Sequence, residues 1–490
     1  MKNHFRLVVA CFGVVAAGAC QRTPPERQVI LDAADAMGGR DKVLAVRTLT
    51  IEGEGDAPNV GQNTKTDSEL PNWKVTEFKE TIDLANHRVR MQQVRTAQFL
   101  FANANTQRQS QGLDGDIAFN IGPDGKATRV SDAAMKDRRM DMLHMPLALV
   151  RGALDDPATK LSGVRTTGIQ QVVEIETGKG EHITLAIDAA TKLPSRATSM
   201  SYNANLGDVA IDTAFADYET VNGIKLPKRI TTTIDRFPQF DLKVSKNTID
   251  ADAGNLAAPD SVKAAPVPPN AAPVVVTAEP VAKGVWWLAG SGNHRSVVFE
   301  FDDHLVLYEV PLNEARSKAV IEKARTLSSK PLTHAIVSHH HFDHSGGIRV
   351  AVAEGLTIIT YKDNIPFFKD LLARKHSIVQ DELAKTPKEA KFEPVDDSLT
   401  LKDKSMEVQL YHLKDNPREG TNLFAYVPKD RILVQADLYD STWTFHHWGE
   451  NVIDNIEKIR KLKVDKQVPV HGAIQSYADM VKTIRSAPKE

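Results

Sequence analysis

Directly after the apolar residues Ala335, Ile336 and Val337 the chain reads Ser338, His339, His340, His341, Phe342, Asp343, His344, Ser345, Gly346, Gly347. Four imidazoles and a carboxylate gathered within six positions need a cause, because burying such groups unpaired is costly, whereas a cation neutralises and bridges them. In an extended segment residues two apart face the same side, so His339 and His341 can grip one cation while His340 points away. Asp343 and His344 enter a tight turn that can serve a neighbouring cation, with Gly346 and Gly347 permitting close backbone approach. Twelve of the 16 histidines lie after residue 280, in the last 210 residues. The mature chain has no cysteine to offer a metal beyond Cys20, so imidazole and carboxylate must carry the site, a donor set that suits zinc.

The pattern H-x-H-x-D-H after an apolar strand resembles the metallo-β-lactamase fold superfamily across about residues 280–490. The resemblance implies an αββα sandwich there. The motif is most similar to a periplasmic hydrolase-like branch that reads S-H-H-H-x-D-H-S-G-G and is tied to no settled substrate. Further positions carry over singly. Asp437, at the end of the apolar run 433–437, matches the aspartate that bridges two metals, although Ala436 stands where a glycine is usual. His471, in Val468, Pro469, Val470, His471, Gly472, matches the last ligand. The implied metal ligands are His339, His341, Asp343, His344, Asp437 and His471.

One position departs from the family pattern. Where a third histidine is expected stands Arg418, and a guanidinium stays protonated and has no lone pair to give. The site nearest His339 and His341 then has two imidazoles at most, unless His412 or the His446, His447 pair moves in, so one zinc is favoured over two. Arg418 either occupies the empty cation position and grips a substrate carboxylate or phosphate, or marks a domain whose chemistry has decayed. With metal present, zinc lowers the pKa of water to about 7 and Asp343 is the expected catalytic residue that orients the water and takes its proton.

The rest of the chain frames this site. Length favours two domains, since 490 residues exceed a single core. With 41% hydrophobic residues, 25% charged and a formal net charge of −2, the composition is that of a globular chain and offers no electrostatic case for nucleic acid. At the N-terminus Lys2 and Arg6 precede an apolar run at 7–19 that is too short to span a bilayer, reading as a secretory signal over 1–19. Its A-G-A-C ending resembles a bacterial lipobox, which implies lipidation of Cys20, and Gln21 after it favours anchoring at the periplasmic face of the outer membrane.

Residues 20–250 read mostly as strands, among them 48–52, 88–94, 117–121, 171–175, 183–187 and 230–234, after a short helix over 25–37. The echo of Leu-Pro-x-Arg at 193–196 and 226–229, and the turn signal Asn222-Gly223, predict successive hairpins of one large antiparallel sheet. This pattern resembles carrier domains of the LolA/LppX type, incomplete β-barrels, which implies an acyl or lipid ligand. Residues 251–278, rich in Ala, Pro and Val, read as a semi-stiff linker, and 279–490 as the layered α/β domain. Trp286 and Trp287 read as a strand pair, one ring buried and one at the pocket mouth.

No G-x-S-x-G elbow, G-x-x-x-x-G-K-[ST] loop or strand-borne G-x-G-x-x-G competes with this reading. The expected activity is zinc-dependent hydrolysis of a small-molecule ester, lactone, thioester or amide. Its rival is a non-catalytic envelope lipoprotein with an acyl-binding first domain and a degenerate metal site.

Overall fold

The computed structural model describes residues 23–99, 105–271 and 273–488; the expected signal segment and Cys20 lie outside them. The N-terminal region opens with the helix Pro25–Met37, whose proline presets the first turn and which stops at Gly38, φ 134°. Thirteen antiparallel strands then form one sheet. Thr48–Pro58 lies inside it, paired with Asn72–Asp83 on one side and Phe237–Ile249 on the other. The outermost strands, Ala127–Arg129 and Lys160–Thr167, do not pair with each other, so the sheet stays open, an incomplete barrel. Asn222 and Gly223 do form a hairpin turn, in a separate two-stranded sheet.

Two further helices, Asp132–Leu143 and Pro146–Asp155, join Pro25–Met37 against the inner face of the sheet. The strand-dominated sequence reading omits both. Asp132–Leu143 buries Met135 and Met142 and little else, and Pro146–Asp155 is buried almost all round, so neither shows the one-sided apolar stripe that marks a surface helix.

The Ala/Pro-rich stretch is docked on the first domain. Its short helix Asp260–Ala264 sets Val262 against a cluster with Phe119 and Ala258, and the amide of Ala258 donates to Asp114 Oδ2 at 2.9 Å. A strand begins within it, at Val276–Ala282, and pairs with Val285–Gly290.

The C-terminal region is a four-layer sandwich. A seven-stranded sheet, antiparallel from Val276–Ala282 to Leu305–Tyr308 and parallel from there to Lys391–Val395, faces a six-stranded sheet running from Ser398–Lys402 to Gln475–Ser476. Val297, Phe299, Val306 and Ile336 of one meet Val408, Leu410, Ala425 and Val434 of the other. Glu314–Arg325 and Ile348–Ala353 cover the first sheet, Gly449–Asp454 and Tyr477–Ser486 the second. Trp287 is buried with its indole N–H on Pro469 O at 2.8 Å. Trp286 packs into the helix-covered layer, away from the metal ligands, because successive strand residues face opposite sides.

The two regions share a core. Leu206, Val209 and Ile234 of the large sheet pack in the same cluster as Ile348, Phe368 and Leu371, and Asp208 accepts the amides of Ser377 and Ile378 at 2.9 Å each. No helix among the described residues is long and apolar enough to cross a membrane.

Candidate metal centre

Four strands of the sandwich deliver the site from their carboxyl ends. Leu305–Tyr308 leads to Glu309, Leu332–Ile336 to His339 and His341, Ile432–Gln435 to Asp437, and Lys466–Pro469 to His471. Asp343 and His344 sit in the single turn Phe342–Ser345. Asp437 and Glu309 hold left-handed backbone, φ 61° and 76°, a conformation that costs a non-glycine residue about 1 kcal/mol or more and gathers at functional sites.

Asp343, His344, Asp437 and His471 converge. His344 Nε2 lies 3.2 Å from His471 Nε2, 3.2 Å from Asp437 Oδ1 and 3.3 Å from Asp343 Oδ2. His471 Nε2 lies 3.1 Å from Asp437 Oδ1 and 3.6 Å from Asp343 Oδ2. A tetrahedron with metal–ligand bonds of about 2.0–2.1 Å has edges of about 3.3–3.4 Å, a value that these five separations bracket.

The ring tautomers agree with that geometry. His344 Nδ1–H donates to Glu309 Oε2 at 2.7 Å and His471 Nδ1–H donates to Asn293 O at 2.6 Å. In neutral rings both Nε2 lone pairs then face two carboxylate oxygens across about 3 Å, an arrangement that repels itself until a cation sits among them. The Asp437 Oδ1 atom is buried and has no hydrogen-bond partner.

Proton affinities register the same field. Burial pushes His344 down, but Asp437, Asp343 and Glu309 outweigh it and hold the ring well above its ordinary value. His471 is lifted to about 9, its burial overcome by Asp343 and Asp437. Burial raises Asp437, yet Arg418 and His344 keep it well below the usual carboxylate range. A pocket that pulls protons onto buried imidazoles is one that attracts a metal ion in their place.

Beside this set lie His339 and His341. His339 Nε2 is 3.7 Å and His341 Nδ1 4.0 Å from Asp437 Oδ2, and the rings stand 4.5 Å apart. His340 turns away, 3.2 Å from Thr421 Oγ1 and 3.2 Å from Asn63 Oδ1. Arg418 is buried, its guanidinium donating to that same Asp437 Oδ2, with Trp443 and Trp448 at 5.3 and 5.2 Å. Neither rescue histidine arrives. His412 stacks on Tyr361 at 3.9 Å and bonds Gly420 O at 3.1 Å, His446 stacks on Tyr439 at 5.1 Å, and His447 on Phe445 at 5.7 Å.

Two imidazoles, His339 and His341, meet at this position, and beside them stands a third donor that the sequence reading missed. Glu419, next to Arg418, lies 2.8 Å from His341 Nε2 and groups with His339 and His341 within 4.8 Å. We assign Glu419 chiefly to orienting His341, since it meets the ring nitrogen that faces away from Asp437. Two more were missed. Glu309 could have been suspected as an acid ending the apolar run Leu305, Val306, Leu307, Tyr308. His294 leaves no motif, yet its Nε2 lies 3.6 Å from Asp343 Oδ2 and its ring 4.8 Å from that of His471; burial keeps it neutral-leaning, below its ordinary value.

Residues 289–420 match the Metallo-beta-lactamase superfamily, a stretch that includes His339 to His344 and stops before Asp437 and His471. The matched stretch lies wholly within the C-terminal sandwich. No match was found among curated proteins. Similar solved structures include a metallo-beta-lactamase from Pontibacter korlensis, 14% identical over 43% of this chain and 100% of that one, TM-score 0.35. Another is a metallo-beta-lactamase from Hirschia baltica, 15% identical over 44% and 99%, TM-score 0.35. A third is FIM-1 from Pseudomonas aeruginosa in its mono-zinc form, 16% identical over 43% and 94%, TM-score 0.33.

Proposed function

We propose that this chain is a metal-dependent hydrolase whose working ion, zinc by the chemistry of its donors, is held by Asp343, His344, Asp437 and His471. The observation that carries the reading is the convergence of those four donor atoms, each histidine Nε2 lying 3.1 to 3.6 Å from the other and from both carboxylates, with both histidines turned to offer Nε2. A zinc ion supplies Lewis acidity and a water nucleophile near neutral pH.

The side chains do the rest. Asp343 keeps 26% of its side chain exposed while the other donors are nearly sealed, so it is the carboxylate that meets substrate and accepts the proton of the attacking water. His294, 3.6 Å away, is placed to pass that proton to the leaving group. Arg418 serves Asp437: its charge stands at the second oxygen of that carboxylate, which a second cation would need, so one ion per chain is favoured. The bond cleaved is an ester, lactone, thioester or amide.

That same Arg418–Asp437 pair also favours the second reading, a metal-binding envelope lipoprotein without catalysis. A panel of the four substrate classes with zinc-loaded wild type and His471→Ala separates them. Turnover by wild type that is lost in the variant supports the enzyme; zinc binding with no turnover of any class supports the binder.

The chain is further proposed to be exported and anchored through Cys20 at the periplasmic face of the outer membrane, with an acyl or lipid ligand in the first domain. Cys20→Ser is expected to move the protein from membrane to soluble fraction; an unchanged membrane fraction contradicts the anchor.

A further inference from the structure

The metal centre is walled on one side by the other domain. Between the strands Thr48–Pro58 and Asn72–Asp83 the hairpin connection 59–71 leaves the large sheet and runs across the carboxyl ends of the sandwich strands. Its base is closed by the amide of Asn59 on Pro71 O at 2.8 Å, and its tip is locked to the second domain where the Gly420 amide donates to Thr64 O at 2.9 Å. Gly61 is required twice over. It has φ 76°, and a Cβ there would come within 2.3 Å of the Phe342 ring.

From this loop three contacts reach the ligand segment. His341 Nε2–H donates to the backbone carbonyl of Asn63 at 2.9 Å. Gln62 Nε2 donates to Asp343 Oδ1 at 2.9 Å. The Asn63 side chain lies against His340 Nε2 at 3.2 Å and donates back to Lys65 O and, at 3.3 Å, to Ser68 O, which stiffens the tip that presents its carbonyl.

The loop contacts add to choices that the second domain begins. An imidazole can present either nitrogen; His341 Nε2 lies between Asn63 O at 2.9 Å and Glu419 Oε2 at 2.8 Å, so loop and second domain together turn its Nδ1 toward Asp437. A carboxylate can present either oxygen; with Oδ1 held by Gln62, Asp343 turns Oδ2 toward His344 and His471. We propose that the metal centre is a two-domain site, in which Gln62 and Asn63 of the 59–71 loop are positioning residues: Gln62 sets the donor atom of Asp343, and Asn63, together with Glu419, sets that of His341. The inference rests on the proposed metal reading of those donors. It also fixes the approach: the loop closes the His341 side, and the exposed edge is left at Asp343 and His294, so substrate enters there.

Partners that orient metal ligands typically contribute about 10- to 100-fold in metal affinity. The test is zinc affinity by chelator competition, with the visible spectrum of the cobalt-substituted protein, in full-length Gln62→Ala, Asn63→Ala and, as a control facing away on the same loop, Glu69→Ala. Gln62→Ala removes the amide on Asp343, and Asn63→Ala keeps the carbonyl but frees the tip. Both are expected to weaken zinc about tenfold or more and to shift the cobalt bands, with Glu69→Ala unchanged and metal-free melting temperatures within about 4 °C of wild type. Wild-type affinity and spectrum in both Gln62→Ala and Asn63→Ala overturn the two-domain site while leaving the metal reading intact. A lowered melting temperature with unaltered metal binding also overturns it, since that is a merely structural loop. A wild type that takes up neither zinc nor cobalt overturns both.

Discussion

His144 and His471 are equally hidden, 3% and 8% exposed, yet they answer to opposite fields. In the first domain His144 sits between the hydroxyls of Thr213 and Ser199, both at 2.9 Å, and burial drives it down to about 4. In the second, His471 faces Asp343 and Asp437 and rises to about 9 in spite of burial. Carboxyls divide the same way. Glu80, buried on the large sheet with Oε2 unpartnered, is pushed to about 8 by burial and then by Asp141, whereas Asp437, buried no less, stays ionised among Arg418, His344 and His471. Burial alone makes a titratable group neutral; only mutual arrangement makes a cation site.

The largest expected effect breaks the comparison from the ligand side. His344→Ala removes a direct donor, and hydrolysis is expected to fall by about a thousandfold or more, with His339→Ala much milder because that ring serves the position already filled by Arg418. His144→Ala is the matched control: it should cost about 1–3 kcal/mol of stability, by stranding two hydroxyls, and leave kcat/KM within about twofold. Equal, complete losses in His344→Ala and His339→Ala would instead describe a working two-metal centre.

Arg418→Met comes next. It leaves Asp437 buried without its cation, so the metal-free protein should lose about 3–5 kcal/mol in denaturant unfolding, and added zinc should restore more stability to this variant than to wild type. An unchanged unfolding midpoint would mean that the pair does not hold in solution.

The carboxyl of Glu80 gives a pH signature confined to the first domain. Its folded value of about 8 lies above the ordinary 4.5, so between those limits the folded state carries a proton that the unfolded state has released. Stability contributed below pH 4.5 is therefore lost as pH rises toward 8, by a few kcal/mol on linkage grounds, and Glu80→Gln should flatten that slope. Unfolding free energies at pH 5 and pH 8 in both proteins measure it; parallel slopes would show that Glu80 ionises normally.

The smallest expected effect is at His412. Stacked on Tyr361 and bonded to Gly420 O, it lies outside both donor groups, so His412→Gln should leave zinc affinity within about twofold. A tenfold loss would bring it into the centre.

What the sequence made legible follows from range. His339 and His341 announce themselves because their spacing encodes a face, Asp343 and His344 because they crowd the turn that follows, and Asp437 and His471 because strand ends match the positions that the family resemblance implies. A layered α/β domain was legible from alternating patterns, and its αββα order from the family resemblance. Asn63 was not, since it meets His341 across 278 residues and no local pattern encodes that contact. Glu419 hid beside the conspicuous Arg418, and His294 lies in an irregular turn with no period to read. The helix Pro146–Asp155 was lost for the opposite reason, being buried nearly all round.

The central claim, that Asp343, His344, Asp437 and His471 together hold a metal ion, is tested most directly by zinc content per chain after equilibration with buffered zinc at pH 7, in wild type and His471→Ala. One tightly held zinc in wild type and almost none in the variant is the predicted result. A wild type that retains no zinc, or a variant that retains as much as wild type, would contradict it.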